Sequence, residues 1–192
     1  MTAVPDSTGL ISPEDYLAGE LVAEVRHEYV GGRVFPMPGA SDDHNRIVGN
    51  LFLALGNHLQ GHVCEVFSND MKARTHGQVY YYPDVMVCCD PTDNARYYRE
   101  RPRFIFEVLS EETRRTDERE KALAYFHTPS LEAYVIVDQE RLAVTVFRRD
   151  RGQWWKTETL TEPGSLVRLD SLGFEISLER IYRRTKALGK EP

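Results

Sequence analysis

The sequence predicts an α/β (α+β) domain, a mixed central β-sheet flanked by helices. Three observations lead there. Helical and extended patterns follow one another in the order helix, several strands, helix, strands. One strand, "AYVIV", is apolar throughout, as a central strand covered on both faces would be. One long segment, "SDDHNRIVGNLFLALGNHLQG", places Ile47, Val48, Leu51, Phe52, Leu55 and Leu59 at three- and four-residue steps, the period of a half-buried helix. At 192 residues, 41% hydrophobic and 28% charged, the chain suits one domain, 1–192, with a core of its own.

Residues 1–11 read as a flexible arm. "SPEDYLAGE" starts a helix, with Ser12 as cap, Pro13 in the first turn and Asp15 at the capping-box position. "RHEYVGGRVFPMP" reads as a hairpin turning at Gly31-Gly32. The long helix follows, stopped by Gly61, with His44 at the N-terminal end of its buried stripe. Strands are expected at "CEVFS", "DMKART", "VYYYPDVMVCC" and "RFIFEVLS", the last two separated by a polar loop, "DPTDNARYYRERP". A second helix is expected at "TDEREKALAYFHT", ended by Pro129. Strands near "EAYVIVD", "AVTVFRR" and "QWWKTETL" and a closing helix at "SLERIYRR" complete the chain.

No apolar run reaches membrane-spanning length, and the N-terminus lacks the basic-then-apolar pattern of a signal peptide, so the protein is expected in the cytoplasm. Cys64, Cys88 and Cys89 form no C-x-x-C pair, and adjacent Cys88 and Cys89 point to opposite strand faces, so buried reduced thiols are expected. A net charge of -6 argues against a protein that simply coats nucleic acid, but not against an enzyme whose metal ion supplies local positive charge.

Two apolar strands each carry an acid. Glu107 shares a face with Ile105 and Leu109, and Asp84 shares one with Met86 and Cys88. Pro83 cannot donate a ladder hydrogen bond, which puts Asp84 where pairing begins or frays. An unpaired buried carboxylate costs several kcal/mol. It can protonate, pair with Arg or Lys at a strand end, or bind a cation. Two such acids converging on neighbouring strands would repel each other, and a divalent ion relieves both problems. An oxygen donor set favours Mg²⁺ or Mn²⁺ over Zn²⁺.

Pro83-Asp84 followed by Glu107-Val108-Leu109 resembles the active-site signature of the PD-(D/E)XK nuclease superfamily. More closely, the chain is similar to the Uma-two family of restriction-endonuclease-like proteins. The likeness runs through "HEYVGGRVFPMPGASDDHNRIVGNL", "YYYPDVMVCCD", "FIFEVLSEETRRTDEREKALAYF" and "PSLEAYVIVD". The resemblance implies a restriction-endonuclease-like core and a Mg²⁺- or Mn²⁺-dependent endonuclease acting on DNA, possible as a homodimer. It implies that Asp84, Glu107 and the Val108 carbonyl hold the metal. It also implies accessory roles for Glu28, at the metal or its water, and for His44, at a water or phosphate. The superfamily's lysine two places after the glutamate is Leu109 here, and the family moves that charge to the next helix, which offers Lys121 at the edge of a stripe formed by Ala122, Leu123 and Phe126. "SEET" replaces the usual Ser-Pro-Ser-Thr and adds Glu111 and Glu112. An alternative keeps the fold without turnover, as a nucleic-acid-binding or protein-interaction module.

Other groups have plainer expectations. His58 and His62, four apart, read as histidines at a helix C-terminus. Asp70 and Lys72 share a strand face, solvated or accessory to the site. Arg96, Arg99, Arg101, Arg103, Arg114, Arg115 and Arg119 are candidates for phosphate contacts, but interleaved acids make a salt-bridged surface equally expected. Trp154, Trp155 and Tyr80 to Tyr82 could stack on bases or fill a core.

Overall fold

The computed structural model describes residues 9–37, 39–109, 120–150 and 154–189, of which 154–156 are described by backbone alone. Helix α1 (Pro13–Glu20) begins as expected: the Ser12 hydroxyl oxygen accepts from the Asp15 N–H at 3.1 Å and its O–H donates to the Asp15 carboxylate at 2.9 Å. Strands β1 (His27–Val30) and β2 (Arg33–Pro36) form the hairpin, with Gly31 and Gly32 both at positive φ, 56° and 85°. A right-twisted two-residue turn needs that conformation. Residues 9–11, expected in the loose arm, are tied to this hairpin by Ile11 N–H to Gly32 O at 2.8 Å and Tyr29 O–H to Ile11 O at 2.7 Å. The rest of the arm lies outside the described residues.

Helix α2 (Asp42–His58) is the long amphipathic helix, capped by Ser41 and buried along Ile47, Val48, Leu51 and Leu55. Strands β3 (Glu65–Ser68) and β4 (Lys72–Thr75) follow. The segment "VYYYPDVMVCC" is two strands rather than one: β5 (Val79–Tyr81) and β6 (Val85–Cys88), which belong to different sheets. The break spans Tyr82-Pro83-Asp84, where Pro83 removes a ladder donor. A short strand β7 (Tyr98–Arg99) lies inside the expected loop, before the eight-residue β8 (Pro102–Leu109). Helix α3 (Ala122–Phe126) is the described part of the second helix; residues 116–119 lie outside the described residues.

Strands β9 (Ala133–Asp138), β10 (Val144–Asp150) and β11 (Trp154–Leu160) come next. A hairpin of β12 (Leu166–Leu169) and β13 (Phe174–Ser177), absent from the sequence expectation, precedes a closing helix α4 that is only Leu178–Ile181.

The central sheet has the order β11-β10-β9-β8-β6-β3, with β8 and β9 parallel and the other pairs antiparallel. All six residues of β9 are buried, as its apolar run requires. A second sheet has the order β2-β1-β5-β4-β7. On one face of the central sheet α2 packs Ile47, Val48, Leu51 and Leu55 against residues such as Val85, Phe104, Phe106 and Val135. On the other face Ala122 and Tyr125 of α3 pack on Met86, Ile105, Leu109 and Tyr134. The alternation read from "FIFEVL" and "PDVMVCC" therefore sorts onto the two faces as expected. None of the described helices is long and apolar enough to cross a membrane.

The cysteine expectation is corrected. The antiparallel register of β3 on β6 pairs Glu65 with Cys88, so the next pair outward is Cys64 with Cys89, and these two form a disulfide. Cys88 points to the opposite face and is a buried free thiol whose ionisation is pushed up to about 12, first by burial and then by the charge of Asp93. It stays protonated, and poorly nucleophilic, several pH units below that value. Native protein treated with iodoacetamide at about pH 8, near the ordinary thiol pKa, should take up no label. Unfolding without reductant should add one label, and with reductant three. Intact mass measures this, and three labels without reductant would contradict the bridge.

Candidate metal centre

The break between β5 and β6 sets up the site. Val85 pairs with Phe106 as the last rung of β6 on β8, so the register continued by one residue sets Asp84 beside Glu107. The Val108 N–H donates to Asp84 Oδ2 at 2.7 Å, which fixes the carboxylate beside β8. His44 Nε2 lies 3.2 Å from Asp84 Oδ1. Ser41, the cap of α2, accepts from the His44 backbone N–H at 3.1 Å and donates to Gln139 Oε1 at 2.9 Å, which fixes the main chain that carries the ring. Gln139, just after β9, is itself anchored by its N–H to Leu109 O at 3.2 Å. The start of α2 is thus tied to the ends of β8 and β9. His44 Nδ1 is buried and has no hydrogen-bond partner among the described residues.

Glu107 is buried in β8 at 3% exposure. Tyr125 O–H donates to its Oε1 at 3.1 Å, and Lys121 Nζ lies 3.9 Å from the same oxygen. Lys121 Nζ is 2.7 Å from Glu28 Oε1, and the Tyr82 N–H approaches that oxygen at 3.5 Å. The ammonium also stands 5.5 Å from the centre of the Tyr81 ring. Burial, reinforced by the negative charge of Glu28, pushes the Tyr81 phenol up to about 12. Burial, then Glu107, holds the Tyr125 phenol well above its ordinary range, so it remains an O–H donor to Glu107.

The structure thus brings Glu28, His44, Asp84, Glu107 and Lys121 to one place, from β1, α2, the β5–β6 break, β8 and the start of α3. The expected stripe of α3 needs correction. Leu123 is 61% exposed, while Tyr125 is fully buried, so the inward face is Lys121, Ala122 and Tyr125. Tyr125 was missing from the sequence expectation; its signal is the four-residue step from Lys121, which stacks the two on one helix face. Ser41 and Gln139 were also missing, and no local pattern marks them.

A divalent ion suits this set on charge and on donor type. Among the described residues three carboxylates, Glu28, Asp84 and Glu107, gather with one ammonium, Lys121. The ligand atoms that Asp84 and Glu107 themselves supply are oxygens, and both acids are largely withdrawn from water, with side chains 13% and 4% exposed. Among the described residues no three His, Cys, Asp or Glu side chains form a ready metal cluster. An ion held by two carboxylates, with water in its other positions, would be bound as Mg²⁺ commonly is.

The other expected residues lie apart from this centre or are spoken for. His58 Nε2 contacts Leu172 O at 2.9 Å and His62 Nδ1 accepts from the Cys64 N–H, so the two histidines do not pair. Asp70 pairs with Arg26, and buried Lys72 stacks 4.9 Å over the Tyr82 ring. Arg101 pairs with Asp90 and Arg103 with Glu132, the salt-bridged outcome. Tyr80, Tyr81 and Tyr82 are all buried, because both sides of that segment are covered. Glu111, Glu112, Arg114, Arg115 and Arg119, and the side chains of Trp154 and Trp155, lie outside the described residues.

Comparison with known proteins agrees with this architecture. Two uncharacterized proteins of Synechocystis sp. are 32% identical over 176 residues, covering 90% of this chain and 92% of the relative (slr1290), and 33% identical over 162 residues, covering 81% and 91% (sll1609). A crystal structure from Anabaena variabilis, described as a "putative nuclease belonging to DUF820", superposes with a TM-score of 0.73 at 19% identity over 90% of this chain and 97% of that one. That likeness establishes a shared restriction-endonuclease-like α+β fold. Residues 13–179 match the Uma2 family, described as "Putative restriction endonuclease", and with a match of that extent the chain belongs to the Uma2 family.

Proposed function

We propose that the protein is a Mg²⁺- or Mn²⁺-dependent endonuclease that hydrolyses phosphodiester bonds in DNA. The observation that carries this is that Asp84, one residue beyond the Val85–Phe106 pair, accepts the Val108 N–H beside Glu107, with Lys121 a cation between Glu107 and Glu28. Asp84, Glu107 and the Val108 carbonyl would hold the ion. When bound, it supplies an acidified water and Lewis-acid relief of charge on the phosphoryl oxygens.

The protein's own groups then have distinct tasks. The Val108 N–H and His44 fix both oxygens of Asp84, each of which keeps a further lone pair for an ion. Tyr125 orients Glu107 without adding charge. Glu28 holds the Lys121 ammonium at 2.7 Å, where it offsets charge growing on the phosphate or orients the attacking water. His44 Nδ1, buried and unpartnered, is suited to order a water or to contact a phosphate. Work on DNA would place the protein in the cytoplasm, and cutting both strands of a duplex would take two copies, hence a homodimer. Leu109, buried where the superfamily has its lysine, favours one competing reading: a binding module that retains the fold without turnover.

Plasmid and single-stranded DNA incubated with Mg²⁺, Mn²⁺ or EDTA separate these readings. The nuclease should cut only with metal, and Asp84→Ala or Glu107→Ala should lower the rate by about a thousandfold or more. DNA retained in EDTA with no cutting under any condition identifies the binding module, and cutting that survives EDTA rules out the metal mechanism.

Lys121 has a separate signature. Lys121→Met should slow cutting by roughly 10²- to 10³-fold, yet leave Mn²⁺ affinity equal or higher, because a competing cation has gone. Asp84→Asn and Glu107→Gln should weaken Mn²⁺ instead. Calorimetric titration with Mn²⁺ reads the difference, and loss of Mn²⁺ binding in Lys121→Met would contradict the assigned role.

A further inference from the structure

A row of side chains crosses the central sheet from Glu107. In register, Glu107 pairs with Ile136 on β9, Ile136 with Thr145 on β10, and Thr145 with Thr159 on β11. Residues directly paired across strands share a face. The row therefore runs from the carboxylate of the proposed metal centre along one side of the sheet to its far edge. Helix α3 covers this side further along the strands, where Phe126 meets Tyr134 and Phe147. Thr159 at the end of the row is exposed.

A cavity of about 360 Å³ opens over this row, lined by Leu109, Ile136, Leu142, Thr145 and Thr159, with Arg141 at its rim. That volume falls within the range of small-molecule sites. Its chemistry is divided. Leu109 and Ile136 make a buried apolar floor two residues from Glu107 in β8 and directly beside it in β9. The hydroxyls of Thr145 and Thr159 lie 3.4 Å apart, able to donate or accept toward a third group. Arg141 is 70% exposed, yet it is not a loose surface arginine. Asp138 Oδ2 takes its Nε at 3.1 Å and Nη2 at 2.9 Å, which fixes the guanidinium plane with its remaining edge turned away from Asp138.

An apolar floor, paired hydroxyls and an oriented guanidinium suit a flat ring with polar edges attached to a phosphate. We propose that this cavity is a nucleotide subsite: it takes the base of a residue next to the scissile phosphate, with Arg141 on that residue's phosphate. The proposal rests on the nuclease reading for what the subsite serves, but not for whether it binds. It also makes single-stranded or locally unstacked nucleic acid the preferred substrate, because a paired base cannot enter a cavity in a sheet face.

The test has two arms. Wild-type protein in EDTA is titrated with nucleoside 5′-monophosphates and followed by amide ¹H–¹⁵N spectra. Saturable shifts are expected at Arg141, Ala143, Thr145 and Thr159, and their absence, or shifts confined to other surfaces, overturns the subsite. In the second arm Thr159→Trp, at an exposed position of an outer strand, fills the cavity. Wild type should lose about tenfold in affinity for an oligonucleotide, measured without metal, when one base next to the cut is made abasic. Thr159→Trp should lose the same factor on the intact strand and be indifferent to the abasic position. Equal sensitivity in both proteins overturns the proposal. Cutting without the monophosphate shifts removes the subsite and leaves the nuclease; shifts without cutting of any nucleic acid retain the subsite and remove the nuclease.

Discussion

Negative charge gathered at the end of β8 is the constraint around which the fold is arranged. Glu28, Asp84 and Glu107 sit where water is scarce, and each would cost several kcal/mol if left alone. The chain meets that cost with donors drawn from three separate elements, α2, β8 and α3 with its start. Lys121 reaches Glu28 and Glu107, Tyr125 reaches Glu107, and His44 and the Val108 N–H reach Asp84. Among the described residues, three carboxylates and one ammonium meet there. A core selected for stability alone would replace such a set with apolar side chains of similar volume.

The same constraint explains why the chain breaks at Tyr82-Pro83-Asp84. A continuous strand would direct Asp84's main chain into the β6–β8 ladder and leave its carboxylate among apolar neighbours. The break sends β5 into the second sheet, and Asp84's side chain accepts the Val108 N–H. Tyr82 joins the two parts of the molecule: its N–H approaches Glu28 and its phenol donates to Glu20 at 2.8 Å, which in turn holds His27. The second sheet is therefore fastened at the candidate site, and Glu28 comes from it.

Support for the site reaches outward along α2 and β9. Ser41 serves at once as helix cap and as the link from the His44 backbone to Gln139, so the cap that starts the long helix also fixes the main chain from which the imidazole projects. Across the sheet, the parallel β8–β9 pair carries Glu107 and Ile136 side by side and opens the Thr145–Thr159 surface beyond them. Parallel strands with a ligand surface at their carboxyl ends are a recurrent arrangement in open α/β sheets.

Local chemistry made much of this visible in the chain alone. Alternation in "FIFEVL" and "PDVMVCC" assigned each acid to a face, the three-and-four spacing found α2, Gly31-Gly32 found the hairpin, and an acid isolated among apolar residues marked Asp84 and Glu107. These depend only on neighbours a few residues apart, which the backbone period determines. What needed tertiary structure was strand partnership. Cys64 and Cys89 are 25 residues apart and bond because β3 pairs with β6 in one register. Tyr125 acts through β8, Gln139 through α2, and the row from Glu107 to Thr159 exists only once four strands align. Periodicity states which way a side chain points, but the loss of chain entropy and the packing of two covered faces decide what lies opposite, and those are properties of the whole fold.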